Sequence, residues 1–317
     1  MAAAPEISIV VPIYNEQAGL DALFARLYPA LDALGRSYEL ILVDDGSRDR
    51  SLEALRAQFE RRPDVTRVIV LAANFGQHMA IMAGFQHARG EVVVTLDADL
   101  QNPPEEIHKL LAKMSEGYDY VGSYRQQRQD NAFRRLASRA MNGLREHITS
   151  IRMTDQGCML RAYGRHIIDA IANSHESTTF IPALAYLYAR RPVEIEVAHE
   201  ARAVGKTKYS FYRLMQLNFD LVTSFSTMPL QFFSVLGMLV AFGSVLLYVI
   251  VLFVKLFQGA TVAVALATLW DRDLLQFFLI GLMLFGLGLV GEYVGRIHEQ
   301  VKGRPRYLVA TVLEKRD

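Results

Sequence analysis

From Leu221 to Val254 the chain runs for 34 positions without an Asp, Glu, Lys or Arg, and from Leu274 to Gly291 it does so again for 18. The hydrocarbon core of a bilayer, about 30 Å thick, is crossed by roughly 20 helical residues. The first stretch exceeds that length and the second reaches it with its flanks. Residues 229–297 hold six charged side chains in 69 positions, while the other 248 positions are charged at about one in four, an ordinary density for a water-soluble domain. A soluble domain followed by a two-helix membrane hairpin is therefore expected, with spans at about 230–256 and 274–296. A helical pair buried in a large soluble core is the alternative. Glycine usage argues against it: Gly281, Gly286, Gly288, Gly291 and Gly295 each weaken a helix in water, yet small residues are common where membrane helices pack closely.

The remaining composition narrows the class. The 317 residues are 51% hydrophobic, too apolar for a disordered chain. Their 34 basic and 33 acidic side chains nearly cancel, which excludes the positive excess that binding along a nucleic-acid backbone demands, so no nucleic-acid partner is expected. The single cysteine, Cys158, rules out a disulfide framework and a multi-cysteine zinc site, and it points to a reducing compartment. The apolar run Ile7 to Ile13 lacks the basic n-region and cleavage site of a signal peptide, so the soluble part is expected not to be exported. The link 258–273 carries one basic residue, Arg272, whereas Arg296, Lys302, Arg304, Arg306, Lys315 and Arg316 follow the second span. Positive flanks stay cytoplasmic, so both termini are expected there.

The soluble part alternates two periodicities. Glu6 to Tyr14, Tyr38 to Val43, Val65 to Leu71 and Glu91 to Leu96 read as buried strands. Between them, Gln17 to Leu34 shows helical spacing of Leu20, Leu23, Phe24, Leu27 and Leu31; a second helix is expected from a cap near Ser47 or Asp49 to about Arg61, and a third from Gln77 to Ala88. Strands alternating with helices of about a dozen residues specify an α/β fold with a mostly parallel sheet covered on both faces. In such sheets ligands bind beyond the carboxyl ends of the strands. Tyr14-Asn15-Glu16, Asp44-Asp45, Asn74-Phe75-Gly76-Gln77 and Asp97-Ala98-Asp99 stand at those ends, so these polar clusters are expected to converge on one crevice.

Many carboxylates in one cleft repel one another unless a cation is supplied. In an extended Asp-x-Asp the side chains of Asp97 and Asp99 point the same way. Hard oxygen ligands at that spacing suit Mg²⁺ or Mn²⁺ held together with a substrate diphosphate. A solvated acidic turn is the plain alternative.

Three motifs in order at strand ends, Ser8-Ile-Val-Val-Pro-Ile-Tyr-Asn-Glu16, Val43-Asp-Asp-Gly-Ser47 and Leu96-Asp-Ala-Asp99, resemble the family 2 glycosyltransferases of the GT-A fold, which use nucleotide-sugar donors. With two spans near the C-terminus, the chain is similar to the polyprenyl-phosphate branch of that family. Processive synthases carry a Gln-x-x-Arg-Trp motif, and the only tryptophan here, Trp270, lies between the spans. Within the branch, Asn74 to Gly84, Asp97 to Glu106, Gly157 to Tyr163, Lys208 to Phe211 and Gly291 to Arg296 resemble the transferases that move 4-deoxy-4-formamido-L-arabinose onto undecaprenyl phosphate for lipid A modification and polymyxin resistance. That resemblance implies a UDP-sugar donor, undecaprenyl phosphate as acceptor, a lipid bilayer as partner, location in a bacterial inner membrane, and homo-oligomers, tetramers in relatives. No residue rule separates this donor from UDP-glucose, and the same fold on a non-catalytic scaffold or flippase partner is the rival of another class.

The resemblance also implies roles. Pro12, Tyr14, Glu16, Asp44, Asp45 and Asp97 would hold the nucleoside, and Asp97, Asp99 and Gln101 the metal. Arg125, Arg139, Arg202, Lys206 and Lys208 would meet donor or lipid phosphate, and Asp155 matches the position usually offered as catalytic base. A phosphate monoester is already mostly dianionic at neutral pH, so Asp155 is equally readable as an orienting group. The domains expected are a GT-A unit over 1–205, an interfacial amphipathic helix within 206–228 carrying Phe211, Leu214, Met215, Leu221, Val222 and Phe225, the hairpin over 229–297 and a cytoplasmic tail over 298–317.

Overall fold

The computed structural model describes residues 4–125, 153–155, 157–174, 180–200, 230–237, 272–315 and a few helical positions between 239 and 246. These residues fall into two compact units, one comprising those up to 200 and those from 304 onward, the other those from 230 to 303.

The first unit is an eight-stranded sheet with helices on its faces. In chain order it contains β1 (Ile7–Ile13), α1 (Leu20–Asp32), β2 (Tyr38–Asp44), α2 (Ser51–Arg61), β3 (Thr66–Leu71), α3 (Gln77–His87) and β4 (Val92–Thr95). After a 3₁₀ turn at Pro104–Glu106 come α4 (Ile107–Ser115), β5 (Tyr120–Arg125), β6 (Arg161–Gly164), α5 (Arg165–Asn173), α6 (Ile181–Tyr188) and β7 (Pro192–Val197). The last strand, β8 (Val309–Leu313), comes from the far end of the chain. The sheet order is β7-β5-β6-β4-β1-β2-β3-β8. β1, β2, β3 and β4 are mutually parallel where they pair, as are β5 and β7, while β6 runs antiparallel to β4 and β5 and β8 antiparallel to β3.

Strands β1 and β2 are buried almost throughout because helices cover both faces, which is why they read as unbroken apolar runs rather than alternating ones. α1 turns Leu20, Leu23, Phe24, Leu27 and Leu31 inward, the face expected from its spacing. Pro12 sits inside β1, a position where proline ordinarily removes a ladder bond. Here the β1–β4 ladder ends with Leu96 N–H donating to the Val10 carbonyl, so the bond that Pro12 lacks would fall beyond it.

Two expectations change. α2 begins at Ser51 and not at Ser47 or Asp49, because the intervening residues are drawn into the loop that joins the ends of β1 and β2. The chain after the second predicted span is more than a tail. Its β8 pairs with β3, the Ala72 N–H donates to the Leu308 carbonyl, and Glu314 forms ion pairs with Arg67 and Arg89. Residues 304–315 therefore belong to the same unit as the sheet.

In the second unit, residues 230–237 are helical and α7 (Arg272–Val301) runs for 30 residues. Gly286 of α7 faces the Phe233 ring, and Phe233 packs on Phe285 with ring centroids 5.1 Å apart. Large apolar side chains, among them Phe232, Leu239, Met283, Leu284, Phe285 and Leu287, are exposed. Among the described residues no helix is long and apolar enough to cross a membrane. Most of the first expected span and the expected interfacial helix, including Phe211, Leu214 and Phe225, lie outside the described residues, as do several α7 side chains.

Candidate active site

The carboxyl ends of β1 and β2 are stitched together by short polar side chains. The N–H groups of Asn15, Glu16 and Gln17 donate to Ser47 Oγ, Ser51 Oγ and Asp49 Oδ2, and the Arg48 N–H returns a bond to Asn15 Oδ1. Asn15 takes a left-handed conformation, φ 55°, which asparagine tolerates better than most residues. This bend carries the chain from β1 across the end of β2, leaving Tyr14 exposed and Pro12 and Glu16 partly exposed at the rim.

Asp44 and Asp45 follow different fates. Asp45 is buried, and its carboxylate accepts bonds from Asn74 Nδ2 and from the N–H groups of Phe75 and Gly76 at 2.7–2.9 Å. It therefore organises the loop that opens α3, where backbone donors have no helical partner. Asp44 is 1% exposed; its Oδ2 accepts from the Ser47 N–H at 3.4 Å, and its Oδ1 has no hydrogen-bond partner among the described residues. Burial raises both carboxyls above the ordinary range. Asp44 lines a pocket of about 400 Å³ together with Ser47, Arg48, Leu52, Ala72 and Asn74. Asp44 thus sets a buried acceptor at the wall of a concave site.

Gly46 makes this packing possible. Its φ is +66°, and a Cβ there would lie 2.5 Å from the Ala73 carbonyl carbon and 2.7 Å from the Asn74 nitrogen. Gly46→Ala is expected to cost at least about 2 kcal/mol, combining left-handed strain with a backbone clash. A thermal melt unchanged by the substitution would show that the loop can be rebuilt without this turn.

At the end of β4, the Gln77 Nε2 donates to Asp97 Oδ1 at 2.6 Å. Burial pushes the Asp97 carboxyl up to about 7; repulsion from Asp99 and, more weakly, Glu16 adds to this, while Arg125 and Gln77 act against it. Asp99 Oδ1 accepts from the Gln101 N–H at 3.1 Å, and Leu100 between them is left-handed, φ 58°. The loop is thus bent so that Asp97, Asp99 and Gln101 belong to one tight turn. Among the described residues no cluster of three or more His, Cys, Asp or Glu side chains converges on one point. Two neighbouring carboxylates, one of them raised by burial and by the other, fit a divalent cation of the Mg²⁺ type, which is ordinarily held by one or two protein carboxylates plus substrate phosphate oxygens.

Asp155 is 6% exposed and lies against Arg125. Arg125 Nε and one Nη donate to its two carboxylate oxygens at 2.5 and 3.0 Å, and the Gly157 N–H adds a third bond at 3.0 Å. The carboxylate in turn raises the Arg125 guanidinium above its usual range. A bidentate pair of this kind fixes orientation as well as charge. The structure thus brings Asp97, Asp99, Gln101, Arg125 and Asp155 to neighbouring loops, with Pro12, Tyr14, Glu16, Asp44 and Asp45 on the adjoining strand ends. Arg139, Arg202, Lys206 and Lys208 lie outside the described residues.

Cys158 is fully buried, bonded to Ser123 and Asn102, and its thiol is raised by burial, as suits a structural cysteine. His78 stands edge-on to Phe180 with ring centroids 5.3 Å apart, and its Nδ1 is sealed without a partner among the described residues. Burial, with help from Arg161, lowers its pKa from 6.5 to about 4. A neutral imidazole is therefore favoured in the folded state. The stability it contributes is present above the unfolded value near 6.5 and is lost as pH falls through about 4, on the order of 3 kcal/mol in full. His78→Leu is expected to flatten the acid side of the stability profile between those values, and denaturant melts at pH 7 and pH 4.5 check it; equal acid loss in both proteins would refute it.

The fold and the strand-end site define an α/β protein with polar and acidic loops gathered at the carboxyl ends of its parallel strands. Glycosyl transferase family 2 matches residues 8–172, just over half the chain, and the protein belongs to that family. Solved structures with the same fold include glucosyl-3-phosphoglycerate synthase from Mycobacterium tuberculosis. Its complex with UDP matches at 18% identity and a TM-score of 0.52, covering 70% of this chain and 79% of that one. Its complex with Mg²⁺ and UDP gives the same identity and score over 69% and 78%. Its complex with Mn²⁺, UDP and phosphoglyceric acid gives 18% and 0.51 over 69% and 77%.

Proposed function

We propose that the protein is an inverting, divalent-metal-dependent glycosyltransferase that moves a sugar from a UDP donor to a polyprenyl phosphate at a membrane surface. The motif resemblance favours 4-deoxy-4-formamido-L-arabinose as the sugar and undecaprenyl phosphate as the acceptor, in a bacterial inner membrane with the catalytic unit on the cytoplasmic side. One observation carries the reading: the Asp97 carboxyl, pushed up to about 7 by burial and by the neighbouring Asp99, stands at the end of β4 with β1 between it and the pocket that Asp44 lines at the end of β2. UDP-bound structures of the same fold support the donor class. The charge-free runs and the exposed apolar side chains of α7 support the membrane attachment.

The nucleobase fits the Asp44 pocket, where a ring N–H would satisfy Oδ1. Asp97 and Asp99, with Gln101, would hold the cation, which when bound neutralises the donor diphosphate and so eases its departure. Arg125, aimed by Asp155, stands close enough to Asp97 to meet a phosphate oxygen in the same place. A lipid phosphate oxygen attacks the anomeric carbon, the bond to UDP breaks, and the configuration inverts. Proton abstraction is not required, because the acceptor is mostly dianionic near pH 7. With its carboxylate occupied by Arg125 and Gly157, Asp155 suits an orienting role better than that of a base.

The test is transfer by the purified full-length protein in detergent to undecaprenyl phosphate, with UDP-4-deoxy-4-formamido-L-arabinose and UDP-glucose offered separately, with and without EDTA. EDTA-sensitive lipid product from the arabinose donor alone supports the whole reading. Product from glucose alone keeps the mechanism and replaces the sugar, and no product with either points to another donor or to a scaffold. Carbonate-resistant membrane retention checks the attachment separately.

A further inference from the structure

Arg161, at the start of β6, is 0% exposed, yet its hydrogen bonds among the described residues all go to neutral oxygens. Nε donates to the Cys158 carbonyl at 2.8 Å, one Nη to the Asp155 carbonyl at 2.7 Å, and the other to the Tyr120 hydroxyl at 2.5 Å. A buried cation is costly unless its donors are satisfied, and a structural arginine ordinarily has a carboxylate beside it. Instead one planar fork grips two carbonyls three residues apart in the loop that carries Asp155. Gly122 leaves room for it, since a Cβ there would lie 3.1 Å from the guanidinium.

The same loop is held from the other side. Arg125 closes on the Asp155 carboxylate, and β5, which ends in Arg125, begins with the Tyr120 that Arg161 touches. Cys158, at the second carbonyl, links to Ser123 of β5 and to Asn102, three residues beyond Asp99. One guanidinium in the core thus sets the backbone of the segment that Arg125 reads from the cleft.

We propose that Arg161 is a positioning residue for transfer: by clamping the Asp155 and Cys158 carbonyls it fixes the Asp155 carboxylate that aims Arg125. This rests on the glycosyltransferase reading. A lysine in its place keeps the charge but lacks the fork and reaches fewer of the three oxygens.

The experiment compares wild type, Arg161→Lys, Arg125→Lys and the double variant as full-length protein. Expected for Arg161→Lys are a cooperative melt, affinity for UDP with Mn²⁺ within about threefold of wild type, and kcat lower by about 10- to 100-fold, the cost typical of losing an outer-shell support. The double variant should lose no more than Arg125→Lys alone, because both act on one geometry. Should Arg161→Lys fail to melt cooperatively, Tyr120→Phe removes one of the three grips instead and is expected to show the same kcat loss in smaller degree. An active wild type with unchanged kcat in the folded variant, or losses that add, overturns the positioning role alone. A wild type inactive with every donor overturns the functional reading and this inference with it.

Discussion

Asp99→Asn should lower EDTA-sensitive transfer by about a hundredfold to a thousandfold, the range for removing one electrostatic stabiliser from a site of this kind. The fold should survive. Asn keeps the side-chain oxygen that accepts from the Gln101 N–H, so the turn that bends the chain at Leu100 retains its hydrogen bond. What is lost is a negative charge next to Asp97, whose carboxyl is raised to about 7 partly by that neighbour. Two readouts follow. UDP should bind the variant with little gain from added Mn²⁺, whereas the wild type gains strongly, and a thermal melt should show a cooperative transition near that of the wild type. Transfer retained within about threefold in a variant that no longer responds to the metal would remove the cation from the reaction and leave Asp97 and Asp99 as a solvated acidic turn.

The second large effect concerns the pair Arg125 and Asp155. Arg125→Lys keeps the charge but loses the bidentate grip on Asp155, and Asp155→Asn keeps the shape but loses the ion pair. If Asp155 positions Arg125, each should slow transfer by about 10- to 100-fold, and the double variant should be no slower than the worse single one. If Asp155 were the base, Asp155→Asn would remove nearly all turnover with Arg125 intact, and the acidic limb of the pH–rate profile would vanish with it. The geometry favours the first outcome, since a carboxylate already accepting three bonds has little left to offer a proton. Multiplicative losses in the double variant would dismiss the pair as a unit.

Much of the sheet was legible because the physics that builds it is local. A parallel strand covered on both faces must be apolar along its length, and Ile7–Ile13, Tyr38–Asp44 and Thr66–Leu71 lie within a residue or two of their predicted positions. Helix faces follow from spacing, as with Leu20, Leu23 and Leu27. The place of the Asp97–Gln101 loop was readable for the same reason, being a polar cluster at the end of such a strand. The start of α2 was misplaced because Ser47 accepts from the backbone of the β1 loop 32 residues away, and Asp49, although one oxygen takes the Ser51 N–H, gives its other oxygen to that same loop. That competition between local and distant donors has no local signature.

What the amino-acid order determined by itself is the alternation of strands and helices, the convergence of Asp44, Asp45, Asp97 and Asp99 on strand ends, and the two charge-free runs. Only tertiary structure decided how those carboxylates are used. Asp44 and Asp45 are adjacent in sequence, yet Asp45 organises the α3 loop while Asp44 lines the neighbouring pocket, because successive side chains of an extended chain point opposite ways. Gln77, the Arg125–Asp155 pair and the strand Val309–Leu313 gain their roles from partners 20 to 30 positions away or, for β8, more than two hundred. Such contacts are set by chain closure and burial, which no window of neighbouring residues contains.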